Sequence, residues 1–99
     1  MLEKKFVKSK NTCKVTFQLP ESIEAKKALV AGDFDGWQGT PLKKVKGVWK
    51  ATIDLETGRE YQFRYLVNDG EWYNDWNADK YVPNNIDGDN SVVITYNHN

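Results

Sequence analysis

The stretch Tyr61-Gln62-Phe63-Arg64-Tyr65-Leu66-Val67-Asn68-Asp69-Gly70-Glu71-Trp72 decides how this chain folds. Tyr61, Phe63, Tyr65 and Val67 alternate with Gln62, Arg64 and Leu66, which is the two-residue period of a strand with one buried face. Asn68, Asp69 and Gly70 then turn the chain, and a tryptophan follows. The same period recurs on either side. Cys13, Val15, Phe17 and Leu19 alternate with Lys14, Thr16 and Gln18 until Pro20 ends the run. Ala28 to Ala31 is a short apolar strand stopped at Gly32. Trp49, Ala51, Ile53 and Leu55 alternate with Lys50, Thr52 and Asp54 before Thr57-Gly58 turns the chain, and Ser91 to Tyr96 makes a final strand. Glu21 to Lys27 is too short and polar for a helix and reads as a loop. Asn74 to Asp89, rich in Asn, Asp and Pro, reads as a longer ordered loop. Short strands at near-regular spacing, with turn residues between them and no amphipathic helix, predict an all-β sandwich.

Two registers are open to the hairpin. If Asp69-Gly70 is a two-residue turn, Trp72 pairs with Val67 and joins the core face. If Asn68-Asp69-Gly70 is a three-residue loop with Gly70 left-handed, Trp72 pairs with Leu66, shares the outer face with Arg64, and places Tyr73 opposite Tyr65. A slip of one residue moves every side chain to the other face, so the turn decides whether Trp72 is core or site. Local turn statistics slightly favour the two-residue form.

Ninety-nine residues with 39% hydrophobic and 28% charged content make one domain with one small core. Fourteen basic and fourteen acidic side chains cancel. That balance argues against nucleic acid or an anionic membrane as partner, since both reward concentrated positive charge. A neutral ligand suits it better. Cys13 is the only cysteine and alternates with apolar residues, so it reads as a buried hydrophobe, and His98 near the C-terminus is not expected to act with it. The first six residues lack the apolar stretch of a signal peptide, and no run reaches transmembrane length, which makes the cytoplasm the expected location. Asp33, Asp35, Asp87 and Asp89 gather at turns but lack the twelve-residue spacing of a calcium loop, so no metal and no cofactor is expected. A domain this small offers no deep cleft for two carboxylates to work in, and no catalysis is expected.

Four tryptophans are more than so small a core obviously needs, and two of them adjoin turns. Ala31-Gly32-Asp33-Phe34-Asp35-Gly36-Trp37 puts one just past a glycine, the hairpin puts Trp72 past another, and Asp87-Gly88-Asp89-Asn90-Ser91-Val92-Val93 brings an asparagine to the start of the last strand. The order and spacing of these segments resemble the glycogen-binding domain of the AMP-activated protein kinase β subunit. They also resemble the early-set domains that precede isoamylases and glycogen branching enzymes. The resemblance covers roughly residues 12–96 and implies an immunoglobulin-like, early-set β-sandwich, with residues 1–11 an N-terminal extension and 12–97 the domain.

The resemblance also assigns roles. Trp37 and Trp72 fall where that family stacks sugars, Arg64 where the kinase-subunit domain has a lysine, and Asn90 where an asparagine binds sugar hydroxyls. It therefore selects the three-residue hairpin loop. Two positions depart from the pattern: Ile86-Asp87-Gly88-Asp89 lacks a sugar-contacting threonine, and Trp76 stands where the kinase-subunit domain has a proline. Trp76 is expected to fold its loop back onto the sandwich, with ligand contact as the alternative. Trp49, on the apolar face of its strand, is expected in the core. An exposed indole buries the C–H face of a glucose ring while charged or amide groups meet its hydroxyls. The expected function is a non-catalytic carbohydrate-binding module for α-glucans: glycogen, starch or maltooligosaccharides. A glycogen- or starch-active enzyme is a further candidate partner, and the alternative reading is an early-set protein-interaction module whose tryptophans anchor such an enzyme.

Overall fold

Among the described residues the sandwich is built from ten strands, and the inner faces of two supply half of its buried core cluster. The computed structural model describes residues 2–84 and 86–96, so His98 and Asn97 lie outside the described residues. In chain order the strands are β1 (Leu2–Val7), β2 (Thr12–Gln18), β3 (Ala28–Gly32), β4 (Thr40–Pro41), β5 (Lys43–Val45), β6 (Val48–Glu56), β7 (Glu60–Val67), β8 (Glu71–Tyr73), β9 (Lys80–Asn84) and β10 (Gly88–Ile94). One antiparallel sheet runs β1-β2-β6-β5 and the other β4-β3-β7-β10-β9, with β8 also paired to β7. This is the all-β sandwich that the alternation predicts, of the immunoglobulin-like kind that the resemblance implies. Among the described residues no helix is long and apolar enough to cross a membrane.

The alternating residues of β2 and β7 meet between the sheets. Cys13, Val15, Phe17, Phe63, Tyr65 and Val67 are fully buried, and each such apolar side chain contributes roughly 1.5–3 kcal/mol. Phe63 packs edge-on against Phe17, with centroids 5.0 Å apart, and against Tyr65 at 5.8 Å. Tyr65 brings a hydroxyl into the core, where it donates to Asp75 Oδ2 (2.7 Å) and accepts the Gln18 N–H (3.2 Å). Burial and the Asp75 carboxylate both push this phenol far above its ordinary pKa, so it stays a neutral donor. Trp49 packs on the rim of the core and is only half-buried.

Three features differ from the sequence reading, each for a physical reason. Residues 1–11, expected as an extension, supply β1, which pairs along its length with β2. Its apolar alternation is broken by Lys4, which lies on the same face as Leu2 and Phe6 yet ends in an ion pair with Asp79 Oδ2 at 2.8 Å. An inward-pointing charge on an edge strand discourages pairing with other chains and also hides the strand from a pattern search. The loop expected over 74–89 contains β9, whose Pro83 is tolerated because this strand is the sheet edge. The hairpin loop has three residues, with Leu66 opposite Trp72 and Tyr65 opposite Tyr73. The left-handed residues are, however, Asn68 (φ 52°) and Asp69 (φ 66°) rather than Gly70. Asn68 offsets that conformation by accepting the Lys26 and Lys27 N–H groups at 2.8 and 3.3 Å.

Candidate functional site

The loop after β3 is shaped by two carboxylates. Asp35 Oδ1 accepts the N–H groups of Gly32 and Trp37, both at 3.0 Å, while Oδ2 accepts the Gly39 N–H (3.1 Å) and the Thr40 hydroxyl (2.9 Å). Four hydrogen bonds to one side chain fix a loop in which Gly36 (φ 66°) and Trp37 (φ 63°) are both left-handed. That conformation is uncommon for a bulky residue and persists only where the surroundings enforce it. Phe34 roots the loop in the core, 5.2 Å from Phe17. Asp33 then aims the indole: its Oδ1 accepts the Trp37 Nε1–H at 3.1 Å and its Oδ2 accepts the Gln62 N–H of β7 at 2.8 Å. At Gly32 any Cβ would collide with the Gln62 carbonyl, so the loop leaves β3 pressed against β7.

The outer face of β7 carries Arg64. Its guanidinium carbon lies 5.1 Å from the centre of the Trp72 ring, within cation–π range. Its Nη1 donates to Asp87 Oδ2 at 3.0 Å, and its buried Nε has no hydrogen-bond partner among the described residues. The Arg64 hydrogen bond holds the Asp87 carboxyl below the usual carboxylate range. Trp72 is exposed at 42% of its surface, an unusual state for a tryptophan, while the Arg64 side chain is 17% exposed.

Asn90 sits at the start of β10 and is 7% exposed. Its Oδ1 accepts from Asn84 Nδ2 and its Nδ2 donates to Gln62 Oε1, both at 3.0 Å. These bonds tie β9, β10 and β7 together and, among the described residues, leave one donor and one lone pair of the amide over. Asn84 Oδ1 also accepts the N–H groups of Ile86 (2.9 Å) and Asp87 (2.8 Å) and so shapes the turn that carries both.

These residues line one cleft of about 240 Å³: Trp37, Arg64, Asn84, Ile86, Asp87 and Asn90. Three residues singled out from the sequence, Trp37, Arg64 and Asn90, are thus brought together. Trp72 joins them through the face of Arg64 rather than by lining the cleft. Trp76 does not line it. Larger hollows lie elsewhere, such as one of about 440 Å³ beside Trp49, but they lack this convergence of aimed indole, stacked guanidinium and amide.

Sequence reasoning missed Ile86, Asp33 and Asp35. Ile86 is 92% exposed on the cleft rim, and an isoleucine beside Asp-Gly in a polar loop was the available signal. The turn aspartates read as an acidic cluster. Among the described residues no three such groups converge on a metal site; these two are spent on the backbone and on Trp37. A family model described as the glycogen recognition site of AMP-activated protein kinase matches residues 14–97. No curated protein matches the chain.

Proposed function

From the premise that this chain belongs to the AMP-activated protein kinase glycogen-recognition family of carbohydrate-binding modules, we propose that it binds α-glucans, whether glycogen, starch or maltooligosaccharides, without acting on them chemically. The observation that carries this reading is the cleft between an indole held by Asp33 and a guanidinium stacked on a second indole. Trp37 offers a flat apolar face to the C–H side of one glucose ring, and the exposed face of Trp72 serves another. Rings fixed before binding lose little entropy on contact. Arg64 commits one N–H to Asp87 and retains other donors for sugar hydroxyls, while the spare donor and lone pair of Asn90 suit the same groups. Ile86 adds apolar surface on the rim.

The carboxylates support the absence of chemistry. Among the described residues Asp87 is the one carboxylate that lines the cleft, and it is ion-paired with Arg64, whereas glycoside hydrolysis generally uses two carboxyl groups flanking the bond. Affinity electrophoresis through gels containing glycogen, amylopectin or cellulose tests the reading. The parent should be retarded by the first two and not the third, and Trp37→Ala should be retarded markedly less than the parent in the first two. Retardation by cellulose alone would assign the wrong linkage, and free migration in every gel would remove the function.

A further inference from the structure

Trp76 is 59% exposed, more than any other aromatic residue described, and the loop that carries it does not need it as a plug. Its neighbour Asp75 is fully buried and performs the anchoring. The Asp75 N–H donates to Ser91 Oγ (2.8 Å), its Oδ2 accepts the Tyr65 hydroxyl (2.7 Å), and its Oδ1 accepts the Asn77 N–H (2.8 Å). The Tyr81 hydroxyl donates to the Asp75 carbonyl and accepts the Ala78 N–H. The backbone on both sides of Trp76 is therefore fixed, yet its indole has no hydrogen bond or ring partner among the described residues. Tyr81, 43% exposed, places its hydroxyl at the Asp75–Trp76 peptide, so a second exposed aromatic side chain reaches the backbone that carries the first.

This patch is distinct from the cleft. Tyr81 pairs with Ser91, whose side chain turns inward to Asp75, whereas Trp72 and Arg64 lie on the outer face of their sheet. Trp76 lies four residue steps beyond Trp72, at most ~14 Å of extended chain. The charges around the patch are paired within the protein: Asp79 with Lys4 at 2.8 Å and Lys80 with Glu60 at 2.6 Å. A rigid, exposed aromatic pair with an amide side chain (Asn77) beside it and no surplus charge suits an uncharged ligand with an apolar face and a hydroxyl rim.

We propose that Trp76 and Tyr81 form a second platform that takes an α-glucan strand independently of the Trp37 cleft. This rests on the glucan-binding reading above and adds a second point of attachment to a branched polymer. Two linked contacts on one polymer raise apparent affinity through effective concentration, without improving affinity for a short oligosaccharide at either contact.

The test compares the parent, Trp37→Ala, Trp76→Ala and Trp76→Phe by retardation in glycogen gels and by calorimetry with maltoheptaose, each variant first checked for an unchanged melting midpoint. Trp76→Ala should weaken glycogen retention about five-fold or more yet leave the principal maltoheptaose affinity within about twofold. Trp76→Phe, which keeps a ring, should recover most of the retention. Unchanged glycogen retention in Trp76→Ala overturns the platform alone. A loss of maltoheptaose affinity equal to that of Trp37→Ala also overturns it, by placing Trp76 in the first cleft. A parent that glycogen does not retain removes the glucan reading and the platform together.

Discussion

Asp33 is the residue on which the orientation of Trp37 turns, because it joins the indole N–H to the backbone of β7. Replacing it with alanine should weaken glucan binding by about 0.5–1.5 kcal/mol, the net worth of one such hydrogen bond. Calorimetry with maltoheptaose checks this; an unchanged affinity would mean that packing alone orients the ring. Trp49 offers the opposite behaviour. Being half-buried on the core rim, its change to alanine should cost about 2–4 kcal/mol of stability, towards the lower end of core truncations, while the folded fraction still binds. Urea unfolding followed by binding separates the two effects. The sequence identifies the tryptophans but not their supports, because an aspartate accepting backbone N–H groups looks the same in sequence as one awaiting a cation.

At the scale of elements, β2 and β7 are legible because their alternation is strict and their inner residues are fully buried. β1 and β9 are not. Lys4 interrupts the first, and the second is an edge strand holding Pro83 among polar neighbours. Local turn preference slightly favours the two-residue register of the hairpin and the family pattern selects the three-residue one; Trp72 stands opposite Leu66 as that pattern requires. Trp72→Ala should accordingly leave the unfolding midpoint nearly unchanged and weaken glucan binding by about 1–2 kcal/mol. Unfolding as severe as that of a core truncation would contradict the outward register. The 74–79 loop is held by a buried carboxylate, so Asp75→Ala should cost about 2–4 kcal/mol through the unsatisfied Tyr65 hydroxyl and Asn77 N–H. Denaturant melts measure it, and a near-neutral result would show that the loop is fixed by its other bonds.

The whole molecule is a small neutral sandwich whose cleft is shallow, so its affinity should be modest and nearly indifferent to salt. Between low and high ionic strength the Kd for a neutral glucan should move less than about twofold, since no long-range charge steers the ligand. A steep salt dependence would point to a charged partner instead. The most direct measurement of the central claim is calorimetry of maltoheptaose into the parent and into Trp37→Ala, with the melting midpoint of each recorded. The account predicts a parent Kd between ~1 μM and ~1 mM, a loss of about 1–2 kcal/mol in the variant, and equal midpoints. No heat from the parent, or equal affinities for a parent and a folded variant, would contradict it.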